Sequence, residues 1–299
     1  MPESKLRYLV HFHGIVFIFG FTSILGALIS LDAFALVWYR MGLASILIGL
    51  YFIVFQPSRF RVARPEVPWI ILGGLIIAVH WITFFYAIKI AGVSLTLSMM
   101  STGALITALL EPLWYKRKIR FYEVGFGCLT IVGIALIFQA EIQHFLGLLI
   151  AFLSALLSAI FTLLNGRLVR RVPADSLSFY QLFFGTVLMS VLFLFQNRFT
   201  ASFFVLSLED MIWLLVLASI CTAYAFIASI HVMKGLSPYT IMMTINLEPI
   251  YGILFSLLIF KDREFLSPMF YLGMLIVLSS VFLNGFFKIR QQKINRKEA

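Results

Sequence analysis

The chain has 299 residues, of which 62% are apolar and only 12% charged, with a net charge of +10 and a mean hydropathy of +1.01. A water-soluble domain uses about 25% charged residues to cover its surface, so this composition excludes one and leaves a chain immersed in lipid. The positive balance by itself would suit nucleic acid, but the distribution of the charges along the chain gives it a different role.

Runs of about 20 apolar residues, the length at which a helix crosses a hydrocarbon core, occur ten times. In chain order they are Val10 to Ile29, Phe34 to Phe55, Pro68 to Ile90, Val93 to Tyr115, Tyr122 to Phe138, Leu146 to Leu164, Leu177 to Phe195, Met211 to Val232, Tyr239 to Phe260 and Pro268 to Phe287. Lipid cannot satisfy exposed backbone N–H and C=O groups, and a membrane barrel would read as short alternating segments, so all ten are expected to be helices. The first run is too long for the apolar core of a cleaved signal and no small-residue cleavage site follows it, so it is expected to stay in the mature chain. The expected fold is an all-α integral membrane protein with ten transmembrane helices.

If the N-terminus is cytoplasmic, eighteen basic residues fall on the cytoplasmic ends and loops: Lys5, Arg7, Arg59, Arg61, Arg64, Lys116, Arg117, Lys118, Arg120, Arg167, Arg170, Arg171, Lys234, Lys288, Arg290, Lys293, Arg296 and Lys297. Only four (Lys89, Arg198, Lys261, Arg263) fall outside, and Arg40 lies within a span. This bias predicts both termini inside by the positive-inside rule, with the lipid bilayer, not nucleic acid, as the partner.

Ten spans invite a search for internal repetition. The segment "YAIKIAGVS" (86–94) superposes on "HVMKGLSPY" (231–239) at an offset of 145; "WYRMGLAS" (38–45) superposes on "FYQLFFGT" (179–186) at 141; and "HFHG" (11–14) superposes on "HFLG" (144–147) at 133. Two copies of five helices follow, residues 1–141 and 142–287, with a basic cytoplasmic tail at 288–299. An odd number of spans per copy makes the second copy enter the membrane from the opposite side. Inverted repeats of that kind are the architecture of alternating-access carriers, with the site at the midplane between the copies.

Within this frame, "AIKIAGVSL" at the join of the third and fourth spans, "INLEPIYGILFSLLIFKDREF" in the ninth and "GLLIAFLSALLSAIFTLLNGRLVRR" in the sixth resemble the drug/metabolite transporter superfamily, EamA type, over about residues 10–287. The resemblance implies export of small metabolites such as amino acids, and a central cavity lined chiefly by the first, third, fourth, sixth, eighth and ninth helices. The family's Gly-Glu-Arg-like turn is replaced in the first copy by Lys116, Arg117 and Lys118 and kept in the second as Asp262 and Arg263. The family's proline is present as Pro249, but its match in the first copy is Ala104.

Glu248 lies deep in the ninth span, where an unpaired charge costs at least about 2.5 kcal/mol on insertion scales, so it must face protein or a wet cavity. It matches Gly103 at the copy offset, whereas Glu111, about one turn from the end of its span, reads as snorkelling or pairing near Lys116 and Arg117. Thr240, Thr244 and Tyr251 share the Glu248 stripe at helical spacing; Thr96, Met100, Gly103, Thr107 and Glu111 form a second stripe, and Ser154, Ser158, Thr162 and Asn165 a third. Such small hydroxyl residues serve either cavity lining or helix packing. Pro249 frees the carbonyl of Ile245 and favours a kink that could act as a hinge.

His80, in the middle of the third span beside Trp81 and Phe84, could share a proton with Glu248 and so couple export to proton entry, or could simply hydrogen-bond two helices together. Trp81, Phe84, Tyr224 and Tyr251 could shape an apolar pocket. Arg40 reads as snorkelling from about two turns below the outer surface, with binding of an anionic group as the alternative. The candidate site for substrate or protons is therefore Glu248, His80, Thr244, Tyr251, Trp81, Thr107, Gly103, Ser158 and Tyr224, with Pro249 as hinge.

Cys128 and Cys221 fall inside spans without further metal ligands, which points to buried structural thiols and no metal or cofactor. The rival readings are an integral membrane enzyme and a channel-like facilitator. The chain has no HExxH, no catalytic cysteine with a placed histidine and no phosphate-binding glycine loop, so an enzyme and an ATP-driven pump are both disfavoured. The expectation is a secondary carrier for a small organic solute in a bacterial inner membrane, with protons as a candidate coupling ion. Oligomeric state does not follow from the sequence.

Overall fold

The computed structural model describes residues 3–116, 121–260 and 266–295; Arg117, Lys118, Arg120, Lys261, Asp262, Arg263, Arg296 and Lys297 lie outside the described residues. No strand occurs among the described residues. The helices are α1 (Glu3–Leu28), α2 (Ala33–Phe55), α3 (Val67–Ala91), α4 (Val93–Met100), α5 (Gly103–Tyr115), α6 (Phe121–Ala140), α7 (Phe145–Leu168), α8 (Ala174–Phe195), α9 (Leu208–Ala218), α10 (Ala225–Val232), α11 (Pro238–Ile245), α12 (Glu248–Phe260) and α13 (Pro268–Asn295). Eight stretches are long and apolar enough to cross a membrane, and two shorter apolar helices, Gly125–Ala140 and Pro268–Asn284, accompany them.

Three of the expected continuous spans are interrupted. The fourth divides into α4 and α5 at Ser101 and Thr102, the ninth into α11 and α12 at Asn246 and Leu247, and the eighth carries a six-residue π-turn, Ser219–Tyr224, between α9 and α10. The two divided spans share their bounds at a constant offset of 145: α4 with α11, and α5 with α12. Pro249 does not kink a running helix. It is the second residue of α12, where the first-turn N–H has no intrahelical partner and its loss costs little.

Local chemistry explains the starts and stops. The Asp32 carboxylate caps α2 by accepting from the backbone N–H of Phe34 at 2.9 Å, and the Ser237 hydroxyl caps α11 by accepting from that of Thr240 at 3.2 Å. Between α3 and α4 the backbone turns at Gly92, with φ 87° and ψ 169°. This region is closed to residues carrying a Cβ.

Loop contacts order the two ends of the bundle. At the end remote from the N-terminus, the backbone N–H and hydroxyl of Ser30 donate to Asp210 at 2.7 and 2.5 Å, Lys89 donates to the Ile29 carbonyl and Arg198 pairs with Asp32. At the N-terminal end Arg59 pairs with Asp175 at 3.1 Å and Arg171 with Glu66 at 3.2 Å.

The main core joins α1, α2, α3, α4, α7, α8, α9, α10 and α11, while a smaller one is built where α6 and α13 meet α3, α4 and α7. Close approach rests on small residues: a Cβ at Gly74 would stand 2.6 Å from the Gln181 carbonyl oxygen on α8, and one at Gly20 would stand 2.8 Å from Tyr251 Cβ on α12. The exterior presents Ile53, Val54, Phe55, Leu194, Phe195 and Leu258, an apolar surface that water would penalise and lipid accepts. Cys221 is buried as expected, but Cys128 is exposed; its side of α6 faces out of the bundle.

Candidate functional site

A cavity of about 90 Å³ lies in the middle of the bundle, room for several water molecules. Its walls come from α1 (Phe12, Phe19, Thr22), α3 (Ile77, His80, Trp81, Phe84), α4 (Met100), α7 (Ser158, Phe161, Thr162), α10 with the residue after it (Phe226, Ser229, Met233), α11 (Ile241, Ile245) and α12 (Glu248). These are the six spans that the family resemblance implies. The second span joins them through Arg40.

Glu248 is the first residue of α12, so the break after α11 sets its carboxylate at the cavity wall; the residue is 9% exposed. Arg40 faces the same cavity from α2 and is 2% exposed. The two charges interact electrostatically, yet among the described residues they form no ion pair within 4.0 Å.

The Arg40 guanidinium is held in place from three sides. Its Nε donates to the Thr222 hydroxyl at 2.7 Å, its Nη2 approaches the Cys221 carbonyl at 3.5 Å, and its central carbon stands 3.8 Å from the centre of the Trp81 ring. Thr222 and Cys221 belong to the π-turn, where the Thr222 hydroxyl donates five residues back to the Leu217 carbonyl at 2.6 Å. The widened turn thus supplies the acceptor that keeps the guanidinium inside, and π-turns of this kind recur at functional sites. Nη1 is buried and has no hydrogen-bond partner. Snorkelling, the favoured expectation for Arg40, is corrected: the side chain runs inward because Thr222 and Trp81 hold it there.

His80 is fixed to α7. Its Nδ1 lies 2.9 Å from both the carbonyl and the hydroxyl of Ser154, and that hydroxyl donates to the His80 carbonyl at 3.0 Å. His80 and Glu248 both line the cavity without a hydrogen bond between them, so the direct proton-sharing pair is not formed here. An aromatic wall extends from Arg40: Trp81 meets Phe226 edge to face at 5.4 Å, and Phe226 stacks on Phe161 at 5.7 Å.

Of the residues named as the candidate site, Glu248, His80, Trp81 and Ser158 line the cavity, and Thr244, Tyr251, Thr107, Gly103 and Tyr224 do not; Phe84, Met100 and Thr162, also singled out in the sequence, line it as well. Thr244 donates to the Thr240 carbonyl of its own helix at 2.9 Å, and Tyr251 packs edge-on against Phe17 of α1. Thr107 is fully buried, and Gly103 admits Met242, whose Cε would touch a Cβ there at 2.6 Å. Tyr224 is half exposed and bonds His11 at 2.9 Å. The hydroxyl stripes mostly serve their own helices, Thr96 and Thr162 also bonding carbonyls four residues back, which satisfies them without a ligand. Sequence reasoning missed the lining roles of Phe161, Phe226 and Thr22, and undervalued Arg40. The available signal was the coexistence of a lone cation and a lone carboxylate at depth. Glu111 is buried and is not without a partner, which fits pairing, one of its two expected roles. Among the described residues no group of three or more metal-ligating side chains occurs.

The sequence profile described as the EamA-like transporter family matches twice, over residues 8–139 and 145–286. A protein of known crystal structure has the same fold: TM-score 0.67, 13% identity, covering 93% of this chain and 96% of its own. No curated protein matches the sequence.

Proposed function

The chain belongs to the EamA-like transporter family, and from that premise we propose that it is a secondary-active carrier exporting a small organic metabolite, such as an amino acid, by alternating access. One observation carries the reading: a carboxylate and a guanidinium face one mid-bundle cavity, beside a broken helix, without closing into an ion pair. Each such charge costs about 2.5–3.5 kcal/mol to place at bilayer depth on insertion scales. Structural charges would normally recover that cost by pairing. Discontinuous helices beside a midplane site are the usual device by which carriers reach their solute.

The proposed architecture is ten helices in two inverted five-helix copies, residues 1–141 and 142–287, followed by a basic tail. The double match of the family profile and the constant offset between the divided spans support it. The clustering of basic residues at one end supports a bacterial inner-membrane protein with both termini in the cytoplasm. Glu248 is assigned to a solute amine or to proton exchange, with Pro249 securing the break at which α12 pivots.

Purified protein in proteoliposomes, loaded with a mixture of amino acids and metabolites and placed under a proton gradient, tests this. A solute that moves with the gradient in wild type, and in Glu248→Gln exchanges without accumulating, makes Glu248 the coupling carboxylate. Unchanged gradient dependence in the variant removes that role. No movement of any solute against an empty-liposome control removes the carrier reading.

A further inference from the structure

We infer that Arg40 is the anchor for a carboxylate on the transported solute, so that the cavity takes a monocarboxylate with an apolar or aromatic body. The inference rests on the carrier reading for the word "transported", and on geometry for the rest. Arg40 stands seven residues into α2, about 10 Å along the helix axis at 1.5 Å per residue. Its Nε hydrogen bond and its stacking on Trp81 fix the plane of the guanidinium, while Nη1 stays buried without an acceptor. A buried donor left unmade is costly, and a buried cation without a counter-ion more so. Both costs are relieved by an anion that enters the cavity and offers two oxygens to the planar fork, which is the geometry a carboxylate presents.

The protein's own carboxylate does not fill this place. Glu248, at the start of α12, lines the same cavity and forms no ion pair with Arg40, so neither charge is closed off by the other. Among the described residues no lysine and no second arginine lines the cavity, so a dianionic phosphate would find only one guanidinium, and a monocarboxylate needs only one. The edge-to-face and stacked series Trp81, Phe226, Phe161 offers an apolar wall to the body of the molecule. Glu248 then faces the ligand's other end, where an ammonium group would complete the charge balance.

The test is equilibrium binding to the purified full-length protein in detergent, by titration calorimetry and thermal shift. Matched pairs are used: phenylacetate with phenylacetamide, isovalerate with isovaleramide, and phenylalanine with phenylalaninamide. The expected result is that at least one acid binds at least tenfold more tightly than its amide, that Arg40→Gln abolishes the difference, and that Arg40→Lys keeps part of it. Equal affinity of acid and amide in wild type, absence of binding by all three acids, or wild-type acid affinity in folded Arg40→Gln each overturns the inference. The acid and amide comparison needs no variant, so a misfolded Arg40→Gln leaves it decisive. Acid binding that depends on Arg40 without transport in proteoliposomes would sink the carrier reading alone. Transport of uncharged solutes unaffected by Arg40→Gln would sink this inference and keep the carrier.

Discussion

Glu248 and Gly103 are each the first residue of the second half of a divided span, 145 positions apart. The same backbone break thus carries a carboxylate in one half of the chain and no side chain in the other. At Gly103 the space goes to Met242; at Glu248 it opens onto the cavity. The partner of Arg40 at the offset of 141, Gln181, is likewise structural: it donates to Asn165 at 2.8 Å and packs under Gly73. The charged chemistry therefore sits on one side of each matched pair.

Removing the ring beneath Arg40 tests what holds it. A cation over an indole face is worth about 0.5–2 kcal/mol depending on desolvation. Trp81→Leu is expected to lower the melting temperature measurably and to weaken binding of the acid ligands several-fold, with Trp81→Phe intermediate. Calorimetry on the three proteins checks the order, and an unchanged Trp81→Leu would show that the hydrogen bonds to Thr222 and Cys221 suffice to hold the guanidinium.

The seating of α12 depends on Gly20. A Cβ there would meet Tyr251 Cβ at 2.8 Å and the Gly252 backbone nitrogen at 3.2 Å, contacts that a flexible side chain cannot relieve. Gly20→Ala is expected to push α1 from α12, destabilise by about 1–3 kcal/mol as overpacking does, and slow transport. Thermal unfolding and proteoliposome flux report the two effects; Gly14→Ala, with open space around it, is the control.

Asp210 ties the α1–α2 turn to the start of α9. It accepts the backbone N–H and hydroxyl of Ser30 and the hydroxyl of Ser207 at 3.0 Å, and hydrogen bonds to a charged group are worth about 1.5–3 kcal/mol each. Asp210→Ala is expected to destabilise more than Ser30→Ala, because the backbone N–H of Ser30 loses its acceptor only in the first. Melting temperatures in the opposite order would refute that account.

Asn246, at the break between α11 and α12, is 1% exposed and neither end of its amide has a partner. Replacing an unsatisfied buried polar group by an apolar one of similar shape is neutral or stabilising. Asn246→Leu is therefore expected to melt at or above the wild-type temperature. A drop of several degrees would reveal a bond that forms in another state of the protein.

Hydropathy is a property of consecutive residues, so the apolar spans were legible in the sequence, as was the position of Glu248 well inside one of them. Capping residues such as Asp32 and Ser237, and the glycine at the α3–α4 turn, are equally local. The divisions at Ser101–Thr102 and Asn246–Leu247 were not, because no proline or glycine lies within the turns themselves and the apolar pattern runs through them. Once α11 ends, the phase that joined Thr244 to Glu248 and Tyr251 is lost, and the inferred stripe separates into a backbone-bonded threonine, a cavity carboxylate and a tyrosine packed on α1. Arg40 shows the same limit most directly. Its sequence neighbours allow it to point to either side, and the direction is decided by Thr222, 182 residues away, and by the Trp81 ring. The sequence determines which segments enter the membrane, because transfer from water depends on composition along the chain. Which charges meet in one cavity is decided only by packing, because it depends on the rotation of each helix against partners remote in sequence.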